Sequence, residues 1–343
     1  MRFCIVGAGA IGGFVGARLA LGGHDVTFVA RGKNLEAISA NGVRVVYADG
    51  REEIAPARAT ADYDTAGRFD AVILALKAHQ VAAVAPRLAA LYDASTVVIP
   101  MQNGIPFWYF QGHGGPLAGR AVESVDPGGI VKDLVPASRI LGCVVYPATE
   151  LAAPGVVVHV EGDRLPLGEL DGSRSARVEA MAAAFVQSGL KCPVLDNVRA
   201  EIWLKLWGNL TFNPISALTH ATLADICADP DGRALAAQMM REAQAVAESL
   251  GITFRVTLEK RIEGAAKVGR HKSSMLQDVE AGRPLEIDAL VGSVVELGQL
   301  AGVPTPTITA IYNAARLLDR TMAAEQAFAV RPGQCRSRRR HGV

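Results

Sequence analysis

Apolar positions cluster in short uninterrupted runs at residues 3–6, 25–30, 71–75 and 96–100, with mixed polar and apolar stretches between them. Runs that are apolar at every position suit strands of a parallel sheet covered on both faces. Residues 14–21 place apolar side chains on one side and Arg18 on another, and residues 80–91 repeat at helical spacing. Strand, helix and strand in that order predict βαβ units. From residue 140 the texture becomes rich in Val, Gly and Pro, and the segments 141–147, 155–160 and 165–168 are expected to be strands finishing the same sheet. Beyond about residue 198 the strand signal vanishes. The segments 200–218, 232–250, 256–267, 283–301 and 305–323 all carry helical spacing, with Gly251 and Gly302 placed as C-terminal stops.

The first strand runs directly into Gly7-Ala-Gly9-Ala10-Ile11-Gly12. Such a turn is built to hold a dinucleotide: Gly7 permits the tight turn, Gly9 leaves room for a pyrophosphate, and Gly12 lets the next helix pack close to the strand. The helix start, with Ala10 and Ile11, offers free N–H groups and a positive dipole end to the phosphates. In a chain with 35 glycines the spacing alone is weak, and an ordinary glycine-rich turn is the bland alternative. The second strand, at the distance a βαβ crossover requires, favours the nucleotide turn. A secretory leader fits less well, because glycines and Arg18 interrupt the apolar stretch. The expected architecture is an α/β Rossmann-like N-terminal domain over residues 1–197, an all-α substrate and catalytic domain over 198–325, and a disordered basic tail over 326–343.

At 343 residues and half hydrophobic, the chain has room for two well-buried cores. A net charge of +1 makes no electrostatic case for nucleic acid or an anionic membrane as partner. No apolar run approaches the ~18 residues of a membrane span. The five cysteines lack paired or metal-ligand spacing, so a reduced, cytoplasmic protein without a metal site is expected. The basic cluster at 336–340 reads as a terminal tail rather than a nucleic-acid site. A homodimer is compatible with the apolar helices of the second domain, and the sequence does not decide it.

The second strand ends in Ala30-Arg31-Gly32-Lys33, where a fold selecting NAD usually carries an acid for the ribose 2′-hydroxyl. Arg31 would instead pair with a 2′-phosphate, which points to NADPH. Lys77 follows the third predicted strand and Asn103 the fourth, both on the sheet edge where such folds bind ligands. The densest chemistry lies in Glu201-Ile-Trp-Leu-Lys205-Leu-Trp-Gly-Asn209-Leu-Thr-Phe-Asn213-Pro214. At about 100° per residue Lys205, Asn209 and Asn213 form one slowly rotating stripe. The surrounding Trp, Leu and Phe residues predict a helix buried nearly all round, which would lower the pKa of Lys205 and suit it to proton donation. Pro214 is expected to limit the helix beyond Asn213.

With these motifs, and with Lys-Ser-Ser-Met-Leu-Gln-Asp at 272–278 before Glu286-Ile-Asp288, the chain resembles the ketopantoate reductase family from residue 1 to about 323. The resemblance implies NADPH-dependent reduction of 2-dehydropantoate to pantoate, in pantothenate and coenzyme A biosynthesis. It implies Lys205 as general acid, Asn209 and Asn213 holding the keto acid and its hydroxyl, Ser274 on the carboxylate, and Glu286 as acidic partner in the pocket. Lys77 and Asn103 fall where cofactor and substrate meet. The chain departs from the family after Gly104, where Phe107-Trp108-Tyr109-Phe110 replaces small residues. These rings are expected either to plug the core or to form a lid that bears on substrate choice. The alternatives are therefore reduction of another 2-oxo acid, or a non-catalytic NADP-binding sensor, which would have no need of Lys205, Asn209, Asn213, Ser274 and Glu286.

Overall fold

The computed structural model describes residues 1–329, and two compact units divide between Lys205 and Leu206. This division lies inside a helix, beyond the 197/198 boundary expected from the sequence. The basic cluster at 336–340 lies outside the described residues. Residues 326–329, assigned above to a tail, form the end of the last helix.

The first unit contains β1 (Arg2–Val6), α1 (Ala10–Leu21), β2 (Asp25–Val29), α2 (Gly32–Asn41), β3 (Val43–Tyr47), β4 (Glu52–Ala55), β5 (Arg58–Thr60), β6 (Phe69–Leu74), α3 (Ala78–Val84), β7 (Tyr92–Pro100), α4 (Ile130–Leu134), β8 (Gly142–Cys143), β9 (Ala148–Ala153), β10 (Val156–Glu161), β11 (Leu167–Gly168) and α5 (Ala176–Gln187). Five parallel strands in the order β5-β2-β1-β6-β7 make the main sheet. The chain starts in the middle, fills one side, then crosses to fill the other. The strand order therefore reverses between β1 and β6, which is where open α/β sheets bind ligands. Phe3, Cys4, Ile5 and Val6 are buried, as their uninterrupted apolar run requires.

The later Val-rich segments do not finish this sheet. β10 pairs in parallel with β3 and antiparallel with β9, giving a separate four-stranded sheet in the order β4-β3-β10-β9. The short β8 and β11 pair with each other, Leu167 of β11 also bridges to Val194, and the main sheet is extended past β7 by a bridge from Val98 to Ile140. The cause is α1, whose glycines let it lie between two layers. A Cβ on Gly16 would sit 2.3 Å from the Phe28 ring of β2, and one on Gly13 would sit 2.6 Å from Val157 of β10. Phe14 also stacks on His159 of β10, with centroids 4.5 Å apart. Further along, α3 gives way to a 3₁₀ turn over Ala85–Leu91, because Pro86 cannot donate the next helical bond.

Helix α6 (Val198–Thr219) continues through Pro214, contrary to the expected stop. A proline inside a helix costs about 3 kcal/mol. Here the helix is buried on nearly all sides, with Trp203, Trp207, Leu210, Phe212 and Ile215 all covered, and that burial offsets the lost bond.

The aromatic run is core. Phe107, Trp108, Tyr109 and Phe110 are each at most 3% exposed, so they line no lid. The Tyr109 hydroxyl accepts from Trp203 Nε1 at 2.7 Å, and burial pushes its pKa up to about 12. Arg199, in the first turn of α6 and buried, donates to three carbonyls: Tyr109 at 2.8 Å, Leu170 at 2.6 Å and Gln111 at 2.5 Å. The rings and this guanidinium thus hold the start of α6 in place. Arg199→Met would leave all three carbonyls without that donor. It is expected to destabilise the protein by about 3 kcal/mol, read as a lower urea midpoint with unchanged slope.

The second unit holds the rest of α6, then α7 (Leu223–Ala228), α8 (Pro230–Ser249), α9 (Leu258–Lys267), α10 (Ser274–Glu280), α11 (Ser293–Ala301) and α12 (Pro306–Ala329). Ala236, Met239, Met240, Ala243, Val246 and Ala247 form the buried stripe of α8, and Met240 O accepts from Trp207 Nε1 at 2.7 Å. The buried Glu242 carboxylate accepts from the N–H groups of Thr307 and Ile308, satisfying the start of α12. Gly302 ends α11 at a φ of 68°, as its placement predicts. The helix expected over 283–301 is interrupted: Pro284 disfavours helix before it, and a π-turn over Asp288–Gly292 precedes α11. No helix among the described residues is long and apolar enough to cross a membrane.

Candidate active site

The glycine turn connects β1 to α1 at the point of strand reversal. Gly7 has a φ of 105°, and a Cβ there would meet Ala75 O, in the loop after β6, at 2.7 Å. A Cβ on Gly12 would lie 2.0 Å from Gly7 O, so only glycine allows the helix to start so close to the strand. At Gly9 the situation reverses. It precedes α1 in extended backbone, and a Cβ there would meet nothing within 4 Å. The first N–H groups of α1, those of Ala10, Ile11 and Gly12, have no acceptor within the helix. An open space beside unpaired donors at a positive helix end fits a diphosphate, and the residues present therefore fit a dinucleotide. Asn34 steadies the turn, donating to Ala8 O at 3.0 Å and accepting from Gly155 N–H at 3.1 Å.

Arg31 follows β2 directly, in extended backbone just before α2, with an exposed side chain. Lys77 lies immediately before α3, and its N–H donates to Gln80 Oε1 at 3.1 Å. The loop after β7 reaches back to the loop after β6 through Gln102, whose Nε2 donates to Leu74 O at 2.6 Å and Leu76 O at 3.1 Å. Asn103 comes next, and its Oδ1 accepts from Lys205 Nζ at 2.6 Å. Val145 O also accepts from that ammonium. Residues 102 positions apart in the chain thus meet at the carboxyl edge of the sheet.

Lys205, Asn209 and Asn213 fall along one side of α6, with Lys205 and Asn209 half-buried and Asn213 buried. In the second unit Ser274 is exposed at the first position of α10, where the buried Ser273 supplies the cap by accepting from Leu276 N–H at 3.1 Å. Glu286 is half-buried in the non-helical stretch before the π-turn, and its carbonyl accepts from Leu290 N–H.

Sequence reasoning passed over three residues beside Lys205. Tyr146 lies under the ammonium, with 5.9 Å from Nζ to the ring centroid. Its hydroxyl donates to Glu201 Oε1 at 2.7 Å, and Arg164 Nη1 donates to the same oxygen at 2.5 Å. Glu201 is only 2% exposed. A glutamate beside Ile202 and Trp203 on an apolar helix is a legible signal of a buried carboxylate; nothing in the sequence signals that Tyr146 and Arg164 meet it.

Two family models cover most of the chain: Ketopantoate reductase PanE/ApbA matches residues 3–172, and Ketopantoate reductase PanE/ApbA C terminal matches residues 197–319. A 2-dehydropantoate 2-reductase of Mesorhizobium japonicum is 54% identical over 319 residues, covering 93% of this chain and 98% of that protein. Crystal structures of a 2-dehydropantoate 2-reductase from Geobacter metallireducens and of a PanE/ApbA family ketopantoate reductase from Ralstonia eutropha each superpose with a TM-score of 0.81 at 28% identity. They cover 92% and 94% of this chain and 99% and 100% of their own chains. With the glycine turn, the reversal point and the long lysine helix all where such a fold requires them, the chain belongs to the ketopantoate reductase family of oxidoreductases.

Proposed function

We propose that the protein reduces 2-dehydropantoate to pantoate with NADPH, with Lys205 as the proton donor. The observation that carries this reading is the seating of the Lys205 ammonium on two neutral acceptors, Asn103 Oδ1 and Val145 O, at the carboxyl edge of the nucleotide-binding sheet. The 54% identity to a 2-dehydropantoate 2-reductase supports the substrate.

When bound, the nicotinamide cofactor supplies a hydride to the keto carbon. The protein must then stabilise the negative charge that appears on the carbonyl oxygen and supply one proton to it. Lys205 does both, because an ammonium attracts the developing alkoxide and carries a transferable proton. Asn103 fixes the direction of the Nζ–H bonds without neutralising the charge that catalysis needs. Asn209 and Asn213 hold the keto acid and its hydroxyl, Ser274 receives the carboxylate, and Glu286 is the acidic partner in the substrate pocket. Gly7, Gly9, Gly12 and the α1 N–H groups at Ala10 and Ile11 hold the diphosphate, and Lys77 lies toward the reacting end.

Oxidation of NADPH with a panel of 2-oxo acids tests the reading. 2-Dehydropantoate is expected to give the highest kcat/KM, and turnover confined to another 2-oxo acid would overturn the substrate assignment. In the same assay Arg31 is expected to set cofactor choice. A charge-assisted hydrogen bond is worth ~1.5–3 kcal/mol, and solvent around this exposed side chain keeps the gain toward the lower end. Arg31→Ala should therefore narrow the preference for NADPH over NADH by about tenfold. Equal use of both cofactors by the unaltered protein would remove the basis for that role.

A further inference from the structure

We propose that Asn34 is a positioning residue for the cofactor: it locks the Ala8–Gly9 peptide of the glycine turn in the orientation that receives the diphosphate. The inference rests on the reading of that turn as the diphosphate holder, and extends it to a side chain in the first turn of α2.

The glycine that makes room for the ligand also leaves the backbone loose. Gly9 has φ −78° and ψ −165°. Flipping the peptide before it, a rotation of about 180°, would carry φ to about +100° at the same ψ, a region open essentially to glycine alone. Any side chain at position 9 would forbid the flip, and would also occupy the open space beside the turn. The neighbouring peptide groups are held by backbone partners: Gly7 N–H donates to Val29 O at 3.1 Å, and Gly9 O accepts from Gly13 N–H at 2.8 Å. Between them the Ala8 carbonyl is held by a side chain, accepting from Asn34 Nδ2 at 3.0 Å.

Planarity carries this hold to a donor. In a trans peptide the N–H points opposite to the C=O, so an Ala8 carbonyl drawn toward α2 aims the Gly9 N–H away from α2. A flip would put the carbonyl oxygen where that N–H had been, and an anion at the turn would meet an acceptor in place of a donor.

The Asn34 amide is itself fixed the right way round. Gly155 N–H can only donate, so the end of the amide that faces it, at 3.1 Å, is Oδ1. The NH₂ end is thereby committed to Ala8 O, which can only accept. Gly155 in turn is clamped in the turn between β9 and β10. Its carbonyl accepts from Arg44 N–H of β3 at 2.9 Å, and a Cβ on it would lie 3.2 Å from Ala37 Cβ of α2. The separate four-stranded sheet thus has a task. Through Val157 it packs on Gly13 of α1, and through Gly155 and Asn34 it holds the turn that precedes α1.

Two substitutions in the full-length protein test the lock. Asn34→Leu keeps the approximate size and removes both hydrogen bonds without adding a charge. Asn34→Asp keeps the acceptor for Gly155 N–H and sets an oxygen against Ala8 O. Dissociation constants for NADPH and NADH are read by fluorescence titration, independently of turnover. Asn34→Leu is expected to bind both cofactors about fivefold more weakly, and Asn34→Asp about tenfold or more. The ratio of the two constants should stay within about twofold of wild type, because the diphosphate is common to both cofactors, and kcat at saturating NADPH should change as little. Wild-type affinity in a folded Asn34→Leu protein would overturn the proposal, since a residue that only stabilises the fold leaves the folded protein's affinity intact. A loss confined to Asn34→Asp would also overturn it, as simple charge repulsion, and so would a loss confined to NADPH, as an effect on Arg31. Should Asn34→Leu fail to fold, Asn34→Ser, uncharged and too short to span both partners, carries the same expectation. Gly9→Leu decides the underlying reading: if that variant loses NADPH and Asn34→Leu does not, the lock alone has failed.

Discussion

Lys205→Met is expected to lower kcat for 2-oxo acid reduction by ~10²- to 10⁴-fold, the usual contribution of a positioned general acid. Methionine retains most of the unbranched stem, so the apolar packing of α6 around Trp203 and Leu206 should persist. Cofactor affinity should change little, because the diphosphate is held by the glycine turn and the start of α1. The two losses can be separated: kcat falls while the NADPH dissociation constant, read by fluorescence titration, stays within about threefold. The basic limb of the pH profile should also disappear, since the group whose deprotonation causes it is gone. A variant with near-normal turnover would overturn the assignment and move the role to Lys77, the lysine that immediately precedes α3 in the loop after β6.

The parts of the fold that were legible are those in which a local pattern and a tertiary demand coincide. The four apolar runs before residue 101 are strands of the main sheet, because strands covered on both faces need no alternation to be recognised. The longer helices after residue 198 are equally plain from their spacing, whereas the short α7 and α10, of six and seven residues, give too little periodicity to be read. What escaped was pairing. β3 reads Val-Arg-Val-Val-Tyr and β4 reads Glu-Glu-Ile-Ala, half-exposed strands whose charged residues make them look like loop. Without them β10 had no visible partner and was assigned to the main sheet. Pro214 misled for a related reason: its cost is local, while the burial that outweighs it comes from elements distant in sequence. In the site, the glycine turn and the Lys205 stripe could be read from spacing. The Asn103 and Val145 acceptors are set by loops that only the folded sheet brings together.

Gly9→Leu is expected to weaken cofactor binding by orders of magnitude while leaving the fold intact. The backbone at Gly9 has φ −78° and ψ −165°, a conformation open to any residue, and a Cβ there would meet no atom within 4 Å. Leucine is a poorer residue than glycine just before a helix, at a cost of about 1 kcal/mol, so the variant should melt only a few degrees lower. Its side chain would fill the space beside the α1 N–H groups. Losing two charge-assisted hydrogen bonds of ~1.5–3 kcal/mol each corresponds to ~10²- to 10⁴-fold weaker NADPH binding. Gly12→Ala supplies the contrast. Its Cβ would lie 2.0 Å from Gly7 O, a backbone atom that cannot yield without moving the turn, so this smaller change should cost stability as well as affinity. The pair distinguishes a glycine required by the ligand from one required by the fold. Unchanged NADPH affinity in a well-folded Gly9→Leu protein would mean that the diphosphate does not lie at the start of α1.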